Sequence, residues 1–333
     1  MQINWISGAV AAVALGLASG AAVAKERLSL SSWGSPKHYQ VAEFVPLFEK
    51  LLDEKSDGDF RLKVFEGGEM LKQQFVATAI PQGTMDISLT TLDNWSGRIA
   101  DVGILTTPLW DHSMEWTRDN LVPGMPVFEF FNDQLKDEGA VLNAMFDIGA
   151  PVVSTNFAIE GPQSFDGKSI RAYSKGSAEL LQTLGAVPTI MGVGDLYSAL
   201  QRGTVEGAMG GLGGAVGLKH YEVTSHMFVP NGVMGTLIHA YVMNRDKFEG
   251  MSPENQEILL ASATEARNHM QQFAIDKLSE LIDEVRQNGN EVTVVEPDSE
   301  MWQSFAARLQ PLAEGARATY SPEVQAVVAG ATN

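Results

Sequence analysis

Ser164-Phe-Asp-Gly-Lys-Ser-Ile-Arg171, Gly185-Ala-Val-Pro188 and Asp195-Leu-Tyr-Ser-Ala-Leu-Gln-Arg-Gly-Thr-Val-Glu-Gly207 follow one another within 44 residues, and their reading decides the fold. Ile170 to Tyr173 reads as a short strand. A helix follows, with Ser177 as its N-cap, Leu184 at its end and Gly185 at C′. Asp195 caps a second helix through Gln201, and Val205 to Met209 reads as the next strand. Strand, helix and strand in this rhythm predict a mostly parallel sheet covered by helices. Arg171 falls at the end of the first strand. No Lys or Arg occurs between Lys136 and Lys168, so its basic company is sparse. A strand-end arginine in that setting is either a solvated surface residue or an anchor for an anion.

The N-terminal half carries the same rhythm. Leu28 to Ser32 reads as a strand ending at the loop Trp33-Gly34-Ser35-Pro36. Val41, Phe44, Val45, Phe48, Leu51 and Leu52 recur at helical spacing. Phe60 to Phe65 is a strand, Leu71 to Ile80 a helix stopped by Pro81-Gln82-Gly83, and Asp86 to Thr90 a strand. Further helices are expected at Val127 to Glu138, from Ser252 to about Gln287, and from Ser299 to about Arg317. Strands are expected at Pro151 to Asn156, Leu237 to Met243 and Glu291 to Val295. A chain of 333 residues supports two packed lobes. No Pro/Ser-rich linker separates them, so strands must cross between lobes. In such sheets ligands bind at the carboxyl ends of strands, which face one another across the cleft.

Composition narrows the functions. A net charge of −18 opposes binding to nucleic acid and to anionic membrane surfaces. A small anion remains possible, because a local pocket can oppose the global field. The chain has no cysteine, which removes thiol catalysis, disulfides and thiolate metal sites. Residues 1–24 are uncharged, with an apolar run from Ala9 to Ala18 and Ala22-Val23-Ala24 before Lys25, and read as a signal peptide cleaved after Ala24. The run is too short to span a bilayer. The expectation is an exported, periplasmic protein.

Motifs for catalysis fail. Gly161 to Lys168 has five residues between its glycines where a phosphate-binding loop needs four. Gly210-Gly-Leu-Gly-Gly-Ala-Val-Gly217 lacks dinucleotide spacing and reads as a loop where backbone passes close to something, or as a ligand wall cleared of side chains. Neither His-Glu-x-x-His nor Gly-x-Ser-x-Gly occurs, and the histidines at 38, 112, 220, 226, 239 and 269 show no metal-ligand spacing.

The ordered matches Phe165-Asp-Gly-Lys-Ser-Ile-Arg171, Gly185-Ala-Val-Pro188, Leu196 to Gly207, Tyr221-Glu-Val223, Tyr241-Val-Met-Asn-Arg-Asp-Lys247 and Gln82-Gly-Thr-Met-Asp86 carry a resemblance. The chain resembles the extracytoplasmic solute-binding proteins of TRAP transporters, of the C4-dicarboxylate-binding type. The resemblance implies a type II-like two-lobed periplasmic binding fold: two mostly parallel sheets flanked by helices, with a hinge and a central cleft. It implies residues 25–150 as lobe I, rejoined by 237–270, 151–236 as lobe II, and 271–333 as C-terminal helices packing on both. It implies capture of a small organic anion, a carboxylate or sulfonate, and delivery to small and large membrane permease subunits. A monomer is the family default.

The family's carboxylate-pairing arginine maps onto Arg171. Two departures narrow the pocket. The second arginine of many members would fall near Pro151 and is missing. The residues after Glu206-Gly207 are Ala208-Met209-Gly210-Gly211, with no carboxylate to hold a metal, so neither a cation nor a cofactor is expected. Trp33, Trp95 and Trp110 follow strand ends and could line the cleft or pack in the core. His38, Thr90, Thr91, Asn94 and Asn156 are the polar candidates, and Met209, Gly210 and Gly211 the roomy wall. The expected ligand is a monoanionic organic acid bulkier or less polar than succinate. A sensing protein that docks on a receptor and an exported α/β enzyme are the alternatives.

Overall fold

The computed structural model describes residues 26–109 and 112–331; the expected leader at residues 1–24 and Trp110 lie outside the described residues. In chain order the strands are β1 (Glu26–Ser31), β2 (Phe60–Phe65), β3 (Ile87–Thr91), β4 (Ala140–Asp147), β5 (Pro151–Thr155), β6 (Ser169–Ala172), β7 (Val187–Ile190), β8 (Gly207–Gly211), β9 (His226–Val229), β10 (Ile238–Asn244) and β11 (Glu291–Val294). They form a five-stranded sheet, β2-β1-β3-β10-β4, and a six-stranded sheet, β11-β9-β5-β8-β6-β7, each the centre of one body.

The sheets are mixed, for a topological reason. β1 runs parallel to β2 and β3, β6 parallel to β7 and β8, and β9 parallel to β11. β10 is antiparallel to β3 and β4, and β5 is antiparallel to β8 and β9. A chain that leaves one body at the cleft must enter the next body at the cleft and run away from it. β5 and β10 are the strands that do so.

Each sheet is covered on both faces. In the first body, Phe128 and Phe131 of the helix Pro126–Asp137 pack on Leu142 and Met145 of β4. On the other face, Ala263, Ala266 and Met270 of the helix Pro253–Gln287 pack with Ala144 and Phe146. Every residue of β4 is therefore buried, and the strand lacks the alternation that marks a half-exposed one. The second body has its own cores around Phe165, Phe228 and Phe305 and around Val152, Met227 and Val229.

Two chain crossings join the bodies side by side. Ile148 N donates to Leu237 O at 3.1 Å and Leu237 N to Gly149 O at 3.2 Å. Asp147 Oδ1 accepts from Gly149 N at 2.7 Å and from Thr236 Oγ1 at 2.6 Å, tying both crossings to one carboxylate. Burial raises this carboxyl to about 6, against the hydrogen bonds that hold it charged. The 35-residue helix Pro253–Gln287 packs on β4 in the first body and on β11 in the second. It spans about 52 Å at 1.5 Å per residue.

Local readings differ at several places. β4, β7, β9 and the helix Pro322–Ala329 have no counterpart among the sequence expectations. The helix Lys175–Thr183 is capped by Ser174, whose hydroxyl and backbone exchange hydrogen bonds with Ser177 in a capping box. Ser177 is thus its third residue, not its cap. The helix Val193–Gln201 begins at Gly192, with Asp195 in its first turn. Leu71 to Ile80 shortens to a 3-10 turn and the helix Val76–Ala79. The Gly210–Gly217 run is the end of β8 followed by the helix Leu212–Gly217, not a loop.

Candidate functional site

Between the bodies lies a cleft with about 550 Å³ not filled by protein atoms, the open solvent at its mouth included. Topology decides which residues reach it. Parallel strands bring their carboxyl ends: Trp33 and His38 after β1, Thr91 from β3, Arg171 and Tyr173 from β6, Gly210 and Gly211 from β8. The crossing strands bring their beginnings, Val152 of β5 and His239 of β10.

Arg171 is 3% exposed. Its Nε donates to Met191 O at 2.9 Å and its Nη1 to Met209 O at 2.9 Å. Two carbonyls thus hold the guanidinium plane, and no described protein group accepts from Nη2. Burial pulls its pKa down to about 10, so it stays a cation at neutral pH. Among the described residues lining the cavity it is the sole Lys or Arg, and no Asp or Glu is present. A Cβ on Gly210 would stand 3.4 Å from Nη1, so the glycine clears the approach to this group.

Three histidines face the same space: His38, His220 and His239. Burial pushes them down to about 4, 3 and 3, and the Arg171 charge adds to the effect at His38 and His220. All three are neutral imidazoles at pH 7, and they form no group able to hold a metal ion among the described residues. Trp33 packs edge-on to His38 at 5.1 Å and stacks on His239 at 5.5 Å. Among the described residues, no protein group partners the buried Trp33 Nε1, His38 Nε2, His220 Nε2 or Gln40 Oε1. Such groups are rare in interiors, because each unmade hydrogen bond costs about 1–3 kcal/mol.

These shifts set a pH dependence. A histidine depressed on folding stabilises the protein above about pH 6.5, and that stability is lost as pH falls toward 4. Asp93 and Asp147, both raised by burial, act the opposite way. The histidines' own contribution to Tm therefore falls between pH 6.5 and 4.5. Replacing the three histidines with glutamine flattens or reverses that slope in calorimetric scans; an unchanged slope would contradict the buried neutral state.

The bodies also touch directly. Gln73 Nε2 donates to Tyr173 O across the cleft at 3.4 Å. The helix Leu212–Gly217 abuts the segment Lys37–Tyr39 of the first body. A Cβ on Gly213 would overlap the Tyr39 ring, and one on Gly217 would overlap the carbonyl of Lys37. The glycine run exists for this approach of one body to the other, besides clearing the wall at Gly210 and Gly211.

Of the residues singled out in the sequence, Trp33, His38, Thr91, Arg171, Gly210 and Gly211 line the cavity. The others do not. Asn156 is exposed at the far end of β5, because that strand runs antiparallel and turns its beginning to the cleft. Trp95 is fully buried in the core of the first body. Thr90 alternates away and donates to Thr91 O at 2.9 Å. Asn94 braces the site from behind, its Nδ2 donating to Thr91 Oγ1 at 2.5 Å. Met209 gives its carbonyl to Arg171 while its side chain packs in the second core. His220, His239, Gln40 and Gln73 were missed. Their one sequence signal, for His239, is its position at the start of a crossing strand.

Residues 30–317 match the family model described as bacterial extracellular solute-binding protein, family 7. The 2,3-diketo-L-gulonate-binding periplasmic protein YiaO of Escherichia coli is 24% identical over 247 residues, covering 74% of each chain. The ectoine-binding periplasmic protein TeaA of Halomonas elongata is 24% identical, over 81% of this chain and 79% of its own length. Among solved structures, DctP7, a Bordetella pertussis extracytoplasmic solute receptor binding pyroglutamic acid, superposes with a TM-score of 0.83 at 16% identity. That superposition covers 91% of this chain and 98% of the other.

Proposed function

Because the chain belongs to family 7 of the bacterial extracellular solute-binding proteins, we propose that it captures a small organic monoanion through Arg171 and presents it to the membrane subunits of a TRAP transporter. Proteins of this family are periplasmic binding proteins rather than enzymes, and among the described residues no helix is long and apolar enough to cross a membrane. Relatives named for diketogulonate, ectoine and pyroglutamate support a small, polar solute.

The observation that carries the reading is the guanidinium of Arg171. It is buried, held in place by two carbonyls, and faces a cavity with no Asp or Glu among its described lining residues. A buried cation is costly until an anion arrives. Carboxylate matches its planar donors. Closing the bodies on the anion then gains what the empty protein lacks.

A melting screen over carboxylates, sulfonates, uncharged sugars and amines tests this. Stabilisation is expected from one or more monoanions, reaching about 2.7 kcal/mol at a hundred times Kd. X-ray scattering should show the radius of gyration falling on addition of the same compound. Stabilisation by uncharged sugars or amines alone would overturn the proposal.

A further inference from the structure

A carboxylate on the first body is shut in by the second. Asp93 stands in the 3-10 turn Leu92–Trp95 that follows β3. It lines a second hollow between the bodies, apart from the cavity of Arg171, together with Ser96 of its own body and Lys175, Gly176 and Glu179 of the other. There it meets the N-terminus of the helix Lys175–Thr183: a Cβ on Gly176 would stand 3.7 Å from Asp93 Oδ2. That helix has no acidic residue in its own first turn. Asp93 is the anion at its N-terminal end, and the other body delivers it.

No cation accompanies this carboxylate. Asp93 Oδ1 is buried without a partner among the described residues. The titratable groups around the hollow are Tyr173 ahead of the helix, Lys175 and Glu179 on it, and Tyr320 beyond the helix Glu300–Arg317. Burial raises both tyrosines, so they are neutral. The Lys175 side chain is 87% exposed and its Nζ lies 3.7 Å from Glu179, so it answers that carboxylate instead. A carboxylate taken out of water with only hydroxyls, amides and a helix end to meet it is favoured in its protonated form. Burial accordingly pushes Asp93 up, against the Ser174 and Thr91 hydroxyls and the backbone N–H groups of Asp93 and Asn94 that hold it charged. Separating the bodies takes Ser174, Gly176 and the helix end away and returns the carboxylate to water.

We propose that Asp93 couples closure of the two bodies to the uptake of one proton, so that the closed form gains on the open form in acid and is held back near neutral pH. A carboxyl raised by closing favours the closed form once protonated, and that help is lost as pH rises. The proposal rests on the reading that the bodies open and close, and on nothing about what the cleft holds.

The empty protein tests it. The chain has no cysteine. Spin labels on Glu69→Cys and Thr189→Cys, exposed near the carboxyl ends of β2 and β7, therefore report a single distance between the bodies by pulsed electron resonance. Asp93→Asn, uncharged at every pH, is expected to populate the closed form about tenfold more than the unaltered protein at pH 7.5, and the ratio is expected to shrink by pH 4.5. His38, His220, His239 and Asp147 are common to both proteins and cancel in that ratio. Gly176→Lys, at a position with room for a side chain, supplies the missing cation and is expected to raise closing at pH 7.5 only while Asp93 is present. A ratio that ignores pH overturns the proposal. So does an Asp93→Asn protein that closes less than the unaltered one at pH 7.5, which would make the charged carboxylate a latch on the helix end. A Gly176→Lys chain no more closed than the unaltered one also overturns it, and needs no change at Asp93. One fixed distance in every protein at every pH overturns the reading that the bodies move, and the proposal with it.

Discussion

Arg171→Gln leaves the empty protein folded and weakens its hold on carboxylates by about 2–5 kcal/mol, some thirty- to several thousand-fold. The two halves of that result have one cause. With the bodies together the guanidinium is buried, its charge disfavoured by burial and answered among the described residues only by the carbonyls of Met191 and Met209. Removing a buried, unpaired charge costs the fold little and can stabilise it. With an anion bound, the same charge is paired, and its loss strands a carboxylate in a cavity where no other Lys or Arg is described. The melting temperature without ligand should therefore be unchanged or higher. The shift produced by a bound monocarboxylate should vanish. A variant that melts lower and still binds would mean that Arg171 serves packing alone.

Gly217→Ala is expected to hold the two bodies apart. The new Cβ would overlap the carbonyl oxygen of Lys37, a backbone atom with no rotamer to retreat into. Overpacking of this kind costs about 1–3 kcal/mol. The contact joins one body to the other, so separating them relieves it and the cost falls on the closed arrangement only. Apparent affinity drops by the fraction of molecules still able to close, roughly 5- to 150-fold for that range. Scattering should show a larger radius of gyration that ligand reduces less than in the unaltered protein. The unfolding midpoint without ligand should move little. A large fall in that midpoint with normal contraction would assign Gly217 to the fold of its own body.

The place of Arg171 at the cavity was legible in the sequence because it stands near the carboxyl end of β6, a strand parallel to its neighbours. Asn156 was misplaced by the same reasoning, since β5 is the strand on which the chain enters the second body. Nothing in residues 151–156 marks that reversal; it follows from pairing with residues more than fifty positions away. β4 escaped because both of its faces are covered, so Ala140 to Asp147 shows no alternation. His220 and His239 carry no spacing signal, because they reach the cavity from different elements rather than as a cluster on one. The glycines of residues 210–217 were visible as a place of close approach. What they approach, Lys37 and Tyr39, is set by tertiary contact alone.

The place of β10 in the first sheet governs the order in which the molecule can be assembled. β10 lies between β3 and β4, and its seven residues begin at Ile238. A chain elongated or translocated only as far as residue 237 has every strand of the second sheet except β11, yet the first sheet still has a gap between β3 and β4. At that point the second body holds five of its six strands and lacks β11 and the helices that bring Val285 and Phe305, while the first, though begun earlier, waits for a strand made nearly a hundred residues after β4. Until then the edges of β3 and β4 stay open to wrong partners, the usual hazard of slow, non-local strand pairing. Conditions that slow completion of the chain should expose the N-terminal half, rather than the segment between the crossings, to proteases.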